Sequence, residues 1–373
     1  MTTFDPEIWA RAPFHLWTAL FFVLGCVIGS LLNVCIHRVP RGESIVRPPS
    51  HCPHCGCAIP WYLNIPLVTW VYLGGQCAHC KAPIAIRYLL VELLTGLMFA
   101  ACWLGFGHRS ILLPMIYCLF ISGLIVATFI DLEHFIIPDG LTIGGMAAGF
   151  ICSFLAPGLH RSFPEMSALK SSASAMRHSL FGMAFGAALV YGLLRLGKLL
   201  FGRHKVALAP RTRIIFGESS LKWADQEFLY EELFYRSSDE VKLEARCVEL
   251  VDRCYANVAV ALKPDRLQIG EETLDPEKLP VLEVVTDRIV LPREAMGLGD
   301  VKFMGAIGSF LGWPGVVFSL GVSSVIGAAA GLSLIALKKR DWSNRLPYGP
   351  YIALAAVIWI FGGWEWVFSL FNR

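Results

Sequence analysis

Charged side chains are scarce in this chain. Only 16% of its 373 residues are Asp, Glu, Lys or Arg, against 55% apolar residues and a mean hydropathy of +0.57. That balance excludes the two or three soluble domains the length would otherwise suggest and leaves a polytopic membrane protein. Net charge is nearly missing too. The formal value of +3 gives no global reason to expect nucleic acid as a partner, so what matters is where the basic residues lie relative to the apolar runs. No lysine or arginine stands ahead of Arg11, and the apolar run after it is too long for the core of a signal peptide, so a retained span is expected. Cysteine, by contrast, is plentiful. The chain is too long for its 12 cysteines to read as the disulfide framework of a small secreted domain, and Cys26, Cys102, Cys118 and Cys152 sit inside apolar runs, where a thiol behaves as a small hydrophobe.

The apolar runs predict an α-helical membrane bundle of about eight spans. The first five run from about Phe14 to Ile36, Tyr88 to Phe106, Ile111 to Ile130, Phe135 to Leu155 and Leu180 to Phe201, each near the length a bilayer core requires. Apolar sequence resumes after Asp300 and continues to about Leu337 with a break at Gly312 to Gly315, giving a short sixth span and a seventh; the eighth runs from about Tyr348 to Leu370. The chain thus divides into a first helix (1–37), a cysteine-rich polar segment (38–86), four further spans (87–201), a polar insert (202–294) and a final helical part (295–373). Within the insert, Leu221 to Leu250 has acidic and aromatic residues at helical spacing, whereas Val258 to Leu262, Leu282 to Thr286 and Arg288 to Leu291 are strand-like, so a small soluble α+β domain is expected. Basic residues set the orientation. Arg38, Arg41, Arg47, Lys81, Arg87, Lys338, Lys339, Arg340 and Arg345 fall on one side, and Arg11, Arg109, Arg161, Lys170 and Arg177 on the other; the first side is expected to face the cytoplasm, with both termini outside.

Against that frame three groups of residues stand out. The first is Gly297-Leu298-Gly299-Asp300-Val301-Lys302, an aspartate at the mouth of an apolar segment, where a carboxylate is expensive unless solvated, paired or protonated. Two spans separate it from Asp131, at the end of the third span, so an even number of crossings returns both carboxylates to the cytoplasmic mouth. Such a pair can act as in an aspartic protease, one member ionised to take a proton from water and the other protonated to polarise a carbonyl. Each can also merely mark a solvated helix end; the continuation of Asp131 into Glu133, Pro138 and Asp139 is more than a plain turn requires.

The second group is Cys52-Pro53-His54-Cys55 and Cys77-Ala78-His79-Cys80. Four thiolates at this spacing suit a tetrahedral structural zinc, with Cys57, His54 and His79 as spare ligands. A redox CxxC or two disulfides are the alternatives, the latter disfavoured in a reducing compartment. The third group is Gly29 to Val34 with Asn33, then Arg38, Arg87-Tyr88 and Glu92: polar residues in or near spans that need partners, either in helix packing or as a wall for an extended peptide.

Taken in order, these pieces resemble the type IV prepilin peptidases, GxGD-class membrane aspartic proteases. The match runs through Gly29-Ser-Leu-Leu-Asn33-Val with Arg38, the two CxxC pairs flanking Asn64-Ile65-Pro66 and Gly74-Gly75, and Arg87-Tyr88 with Glu92. It continues through Ile130-Asp131 to Pro138-Asp139, Gly297 to Lys302, and Leu346-Pro347-Tyr348-Gly349-Pro350, covering nearly everything except the insert. The resemblance implies a bifunctional enzyme of the bacterial inner membrane that cuts a short basic leader from prepilins or pseudopilins on the cytoplasmic side. It then methylates the new N-terminal residue with S-adenosylmethionine, in the service of a type IV pilus or type II secretion machinery. Asp131 and Asp300 match the catalytic aspartates, with Gly297, Gly299, Lys302 and Asp139 as motif support, and Cys52, Cys55, Cys77 and Cys80 the zinc ligands. Two departures stand out: the insert, where relatives have a short loop, and Met296, where many have another glycine. No glycine-rich nucleotide-binding fingerprint is visible, so the methyl donor has no expected residues. A transporter using the carboxylates as an ion relay would be expected to show repeat symmetry and mid-membrane carboxylates instead.

Overall fold

The computed structural model describes residues 14–108, 110–160, 171–201, 203–217, 220–223, 226–230, 234, 239–250, 253–275, 282–292, 297–337, 346–363 and 365. The chain forms two compact units, Met1–Tyr191 with Gly297–Arg373, and Gly192–Met296. Several residues used to set the orientation, Arg11, Arg109, Arg161, Lys170 and 338–345, lie outside the described residues, as does most of the eighth span beyond Gly363.

The first unit is helical. Its elements are α1 (Phe14–Arg38), a short α2 (Val68–Tyr72) in the cysteine-rich segment, α3 (Ile86–Phe106), α4 (Leu112–His134), α5 (Asp139–Leu155), α6 (Ser172–Phe201, which runs on into the second unit), α7 (Leu298–Ala336) and α8 (Gly349–Ile360). Among the described residues, five helical stretches are long and apolar enough to cross a membrane: Phe14–Arg41, Ile86–Phe106, Leu112–His134, Ser172–Leu199 and Leu298–Ala336; Asp139–Leu155 and Gly349–Ile360 are shorter apolar helices. At 39 residues α7 is about 58 Å long, roughly twice a bilayer core, and it breaks where expected: Gly312 leaves helical geometry at φ 72° and ψ 178°. That angle falls in the left-handed half of the map, which glycine adopts without strain.

Small residues set how closely these helices approach. In α1, Gly25 and Gly29 face α3 so tightly that a Cβ on Gly25 would lie 2.7 Å from the Thr95 carbonyl oxygen and one on Gly29 2.7 Å from the Cα of Glu92, the small-xxx-small device of membrane helix pairs. Where α6 meets α7, a Cβ on Gly182 would strike the carbonyl oxygen of Gly308, and one on Gly308 that of Gly182. Beside this crossing, the Ser179 hydroxyl donates to the Ser309 carbonyl at 2.8 Å. The outward sides of the spans carry leucine and valine, for instance Leu20, Leu24 and Leu31 on α1, as expected for surfaces covered by lipid rather than water.

The second unit is a sheet of eight strands in the order β3-β2-β1-β8-β4-β5-β6-β7: β1 (Arg203–Phe216), β2 (Ser220–Trp223), β3 (Gln226–Leu229), β4 (Val241–Glu249), β5 (Cys254–Lys263), β6 (Arg266–Ile269), β7 (Glu272–Leu274) and β8 (Leu282–Pro292). Every neighbouring pair is antiparallel. One face collects Ile214, Leu221, Val241, Val248, Val284 and Ile289 into a core. The strand-like runs of the second half are strands, but the helical expectation for Leu221 to Leu250 is corrected: Ser220–Trp223, Gln226–Leu229 and Val241–Glu249 are strands. Buried and exposed residues alternate from Val241 to Arg246, a period of two that fits a half-buried strand. The first and last strands pair end to end, with Arg203 opposite Pro292, so the sheet leaves the chain where it joined it.

Candidate active site

Asp131 occupies the last turn of α4, which stops when Phe135 takes a left-handed conformation at φ 55° and returns its N–H to the Asp131 carbonyl at 2.9 Å. The Asp131 side chain is buried, 5% exposed. Its Oδ2 accepts the Gly349 backbone N–H at 2.8 Å, and Gly349 is the first residue of α8. The first N–H groups of any helix have no partner within it, so the Asp131 carboxylate supplies the acceptor that the start of α8 lacks. Asp300 plays the equivalent part for α7: it sits in the first turn, 9% exposed, and its Oδ2 accepts the Gly297 N–H at 3.2 Å. Each carboxylate thus caps a helix N-terminus, a favourable place for negative charge.

One residue joins them. Ile137, buried in the linker between α4 and α5, touches a glycine beside each: a Cβ on Gly299 would lie 3.3 Å from the Ile137 Cβ, and one on Gly349 would lie 3.2 Å from its Cδ1 and 2.7 Å from the Asp131 Oδ2. The absence of a side chain at Gly299 and Gly349 is therefore what lets Ile137, and at Gly349 the Asp131 carboxylate, pack directly against the backbone. Lys302, two residues beyond Asp300, donates to Asp139 Oδ1 at 2.6 Å and ties the start of α5 to that of α7. Of the motif residues expected to matter, Asp131, Asp300, Gly299, Lys302 and Asp139 are thus linked through these contacts, and Gly297 donates the capping bond. Gly349 and Ile137 were not expected as site residues. Gly349 belonged to a recognised motif, but its bond to Asp131 joins positions 218 residues apart, and nothing local in sequence foretells it.

The third polar group also finds partners. Asn33 donates through Nδ2 to the Tyr88 carbonyl at 3.0 Å, Arg87 pairs with Glu133, and Glu92, 8% exposed, accepts the Leu67 N–H at 2.8 Å. These contacts fasten helices and the cysteine-rich loop to one another.

In the cysteine-rich segment, two short knuckles fold alike. Cys52 donates its N–H to Cys57 and Cys77 to Ala82, at 2.9 and 2.8 Å, while Gly56 and Lys81 after the second cysteine of each take left-handed conformations at φ 69° and 59°. The sulfurs of Cys52, Cys55, Cys77 and Cys80 all lie within 4.8 Å of one another. Cys52 and Cys80 are 3.8 Å apart, close to the edge of about 3.8 Å that a tetrahedron with roughly 2.3 Å metal–sulfur bonds demands. The donor set and its spacing fit a metal ion. A second set, Cys55, Cys57 and His79, meets the same distance; His54 joins neither. Backbone N–H groups of Cys80 and His79 bring the Cys77 thiol down to about 6, the thiolate form a metal requires. Serine at any of Cys52, Cys55, Cys77 or Cys80 is expected to drop bound zinc from about one per chain towards none, read by atomic emission on purified protein. Full zinc content in the Cys52, Cys77 or Cys80 variant would move the site to the other set, which shares only Cys55.

Comparison with known proteins places these features in two matched stretches. The family model described as Bacterial Peptidase A24 N-terminal domain matches residues 23–106, and that described as Type IV leader peptidase family matches residues 280–332. The former covers the four cysteines and Glu92, the latter Asp300; Asp131 lies between. Three relatives, each named prepilin leader peptidase/N-methyltransferase, show how the likeness is distributed. The chain is 49% identical to that of Myxococcus xanthus over 37% of its own length and 41% of the relative's. It is 37% identical to that of Klebsiella pneumoniae over 40% of its length and 68% of the relative's, and 26% identical to that of Aeromonas hydrophila over 92% and 91%. No solved structure matches.

Proposed function

We propose, since the chain belongs to the type IV leader peptidase family, that it is a membrane aspartic endopeptidase. It removes the leader peptide of type IV prepilins or pseudopilins and then methylates the new N-terminal residue. The observation that carries the peptidase step is the pair of buried carboxylates, each holding a helix N-terminus through one oxygen. Asp131 and Asp300 act as a unit: one, ionised, takes a proton from the attacking water while the other, protonated, donates to the scissile carbonyl, because two like charges at short range do not both ionise. Gly299 and Gly349 let Ile137 and the Asp131 carboxylate pack close to the starts of α7 and α8, and the Lys302–Asp139 pair holds α5 and α7 together beside them.

The membrane arrangement follows by counting α7 twice, on either side of Gly312, and adding α5 and α8. Eight passes result, with the aspartate pair, the cysteine segment and the insert on the cytoplasmic face of the inner membrane. In the cysteine segment, Cys52, Cys55, Cys77 and Cys80 hold a structural zinc, which supplies folding energy to a loop with little core of its own. S-adenosylmethionine is the methyl donor. Among the described residues of the membrane unit there is no strand, glycine loop and helix in succession of the kind that cradles such a donor in soluble enzymes, so we assign it no residues and derive no step through it. Retention of all four cysteines favours a bifunctional enzyme over a peptidase alone, and carboxylates at helix ends rather than mid-membrane argue against a transporter.

The test is purified full-length protein in detergent with a full-length prepilin. The expected product is a shortened pilin carrying one extra methyl group, seen by intact mass; an uncut prepilin would overturn the proposal. The same assay addresses the insert. Because Arg203 and Pro292 are paired, a short flexible linker replacing about 203–290 spans the gap without strain, and such a variant is expected to keep cleaving. Complete loss of cleavage in folded protein would give the sheet a direct part in the reaction.

A further inference from the structure

Between Arg47 and Lys81 the sequence has no acidic or basic residue apart from histidines, and Trp61 to Gly75 reads Trp-Tyr-Leu-Asn-Ile-Pro-Leu-Val-Thr-Trp-Val-Tyr-Leu-Gly-Gly. A stretch this apolar is too short to cross a bilayer and is broken by Pro66, the pattern of an interfacial or re-entrant segment. In the structure it does not fold inward on itself. Trp70 turns in, its indole N–H directed to the Ile84 carbonyl at 3.4 Å and its ring against Gly75. Trp61, Tyr62, Val68, Val71 and Tyr72 turn out and are 83%, 57%, 61%, 67% and 80% exposed. Val68, Val71 and Tyr72 stand three and four residues apart, one face of α2.

Where α2 is fastened bears on what covers that face. Glu92 Oε2 accepts the N–H of Leu67, the residue that opens α2 and whose left-handed conformation, φ 62°, turns the chain into it. Glu92 lies six residues into α3, about 9 Å along its axis from Ile86. The α2 segment is therefore held beside the first turns of a membrane span rather than above them. On that span Leu90, Leu93, Leu94 and Leu97 are exposed towards lipid. The exposed aromatic and branched side chains continue this apolar side at its polar end, the depth at which tryptophan and tyrosine concentrate because a ring can enter the acyl boundary while its N–H or O–H stays with headgroups and water.

We propose that the Trp61–Tyr72 segment of the cysteine loop lies in the headgroup layer of the same bilayer, with Trp61, Tyr62, Val68, Val71 and Tyr72 as its anchors, so that the metal-binding loop rests on the membrane instead of standing free in solution. The Glu92 carboxylate is the clamp that sets its depth. Left in water, these side chains would keep several large apolar groups exposed at once.

The test places a photoreactive p-benzoylphenylalanine at Tyr72, and separately at Trp61, in the full chain reconstituted into vesicles of phosphatidylethanolamine and phosphatidylglycerol. Leu97 serves as the lipid-facing reference and His79 as the solvent reference. On irradiation, positions 72 and 61 are expected to gain the mass of one phospholipid, as at 97, and position 79 none. Label at 72 and 61 that joins a second copy of the chain, or stays free of lipid while 97 reacts, overturns the proposal. So does lipid cross-linking at 72 that is replaced by cross-linking to prepilin when substrate is added, which would make the face a substrate groove.

Discussion

Asparagine at Asp131 or at Asp300 is expected to lower leader cleavage by several orders of magnitude, with the double variant hardly worse than either single one. Groups that act as a unit are grossly non-additive, since losing either removes the same step. Because each aspartate also accepts one backbone N–H, and an asparagine oxygen can accept the same bond, the fold should survive both changes, leaving chemistry as the cause of the loss. Asp139→Asn is the comparison. Its side chain is 63% exposed and its bond to Lys302 is a surface ion pair, which is worth at most about 1 kcal/mol, roughly a factor of five. Methylation of an already cleaved pilin N-terminus should continue in all three variants, because methyl transfer to an amine has no use for a water-activating carboxylate pair. Cleavage at the wild-type rate in either folded single variant would remove the protease mechanism. Lost methylation alongside lost cleavage would point to one shared site.

Alanine at Gly349 is expected to cost about a hundredfold in kcat with little change in KM. The added methyl group would stand 2.7 Å from the Asp131 Oδ2 and 3.2 Å from the Ile137 Cδ1, so the carboxylate has to turn or α8 has to retreat, and either weakens the 2.8 Å bond that aims Asp131. A displacement near 1 Å in a reacting group is enough for a loss of about 10². Gly144→Ala, where an added Cβ meets nothing within 4 Å, reports what a methyl group does elsewhere in the bundle. Thermal unfolding of the two alanine variants, measured side by side, separates misaiming from misfolding. Cleavage by Gly349→Ala at the Gly144→Ala rate would show that Asp131 does not depend on α8 for its position.

How far the sequence alone could go differed between the two units for a physical reason. In the membrane unit, apolar runs have to satisfy their own backbone groups, so length and composition alone locate helices. Residues that break the rule, Asp131, Asp300, Asn33 and Glu92, therefore stood out before any coordinates. The break at Gly312 was legible for the same reason. In the insert, side chains face both water and a core, and the acidic and aromatic residues of Leu221 to Leu250 satisfy helical spacing loosely enough to mislead; pairing of β4 with β8, about forty residues later, decides the matter, and no local pattern encodes that. The bond from Gly349 to Asp131 was hidden likewise, since a backbone N–H has no residue identity to read.

The crossing of α6 and α7 has a consequence for what a family alignment can reveal. At Gly182 and Gly308 each backbone carbonyl occupies the space where the other residue's side chain would begin. A substitution at one position cannot be offset by a smaller residue at the other, because neither has anything left to give up. Such a pair evolves in lockstep by not changing at all. It leaves no trace of correlated substitution, and methods that infer proximity from covariation will pass over one of the closest helix contacts in the molecule.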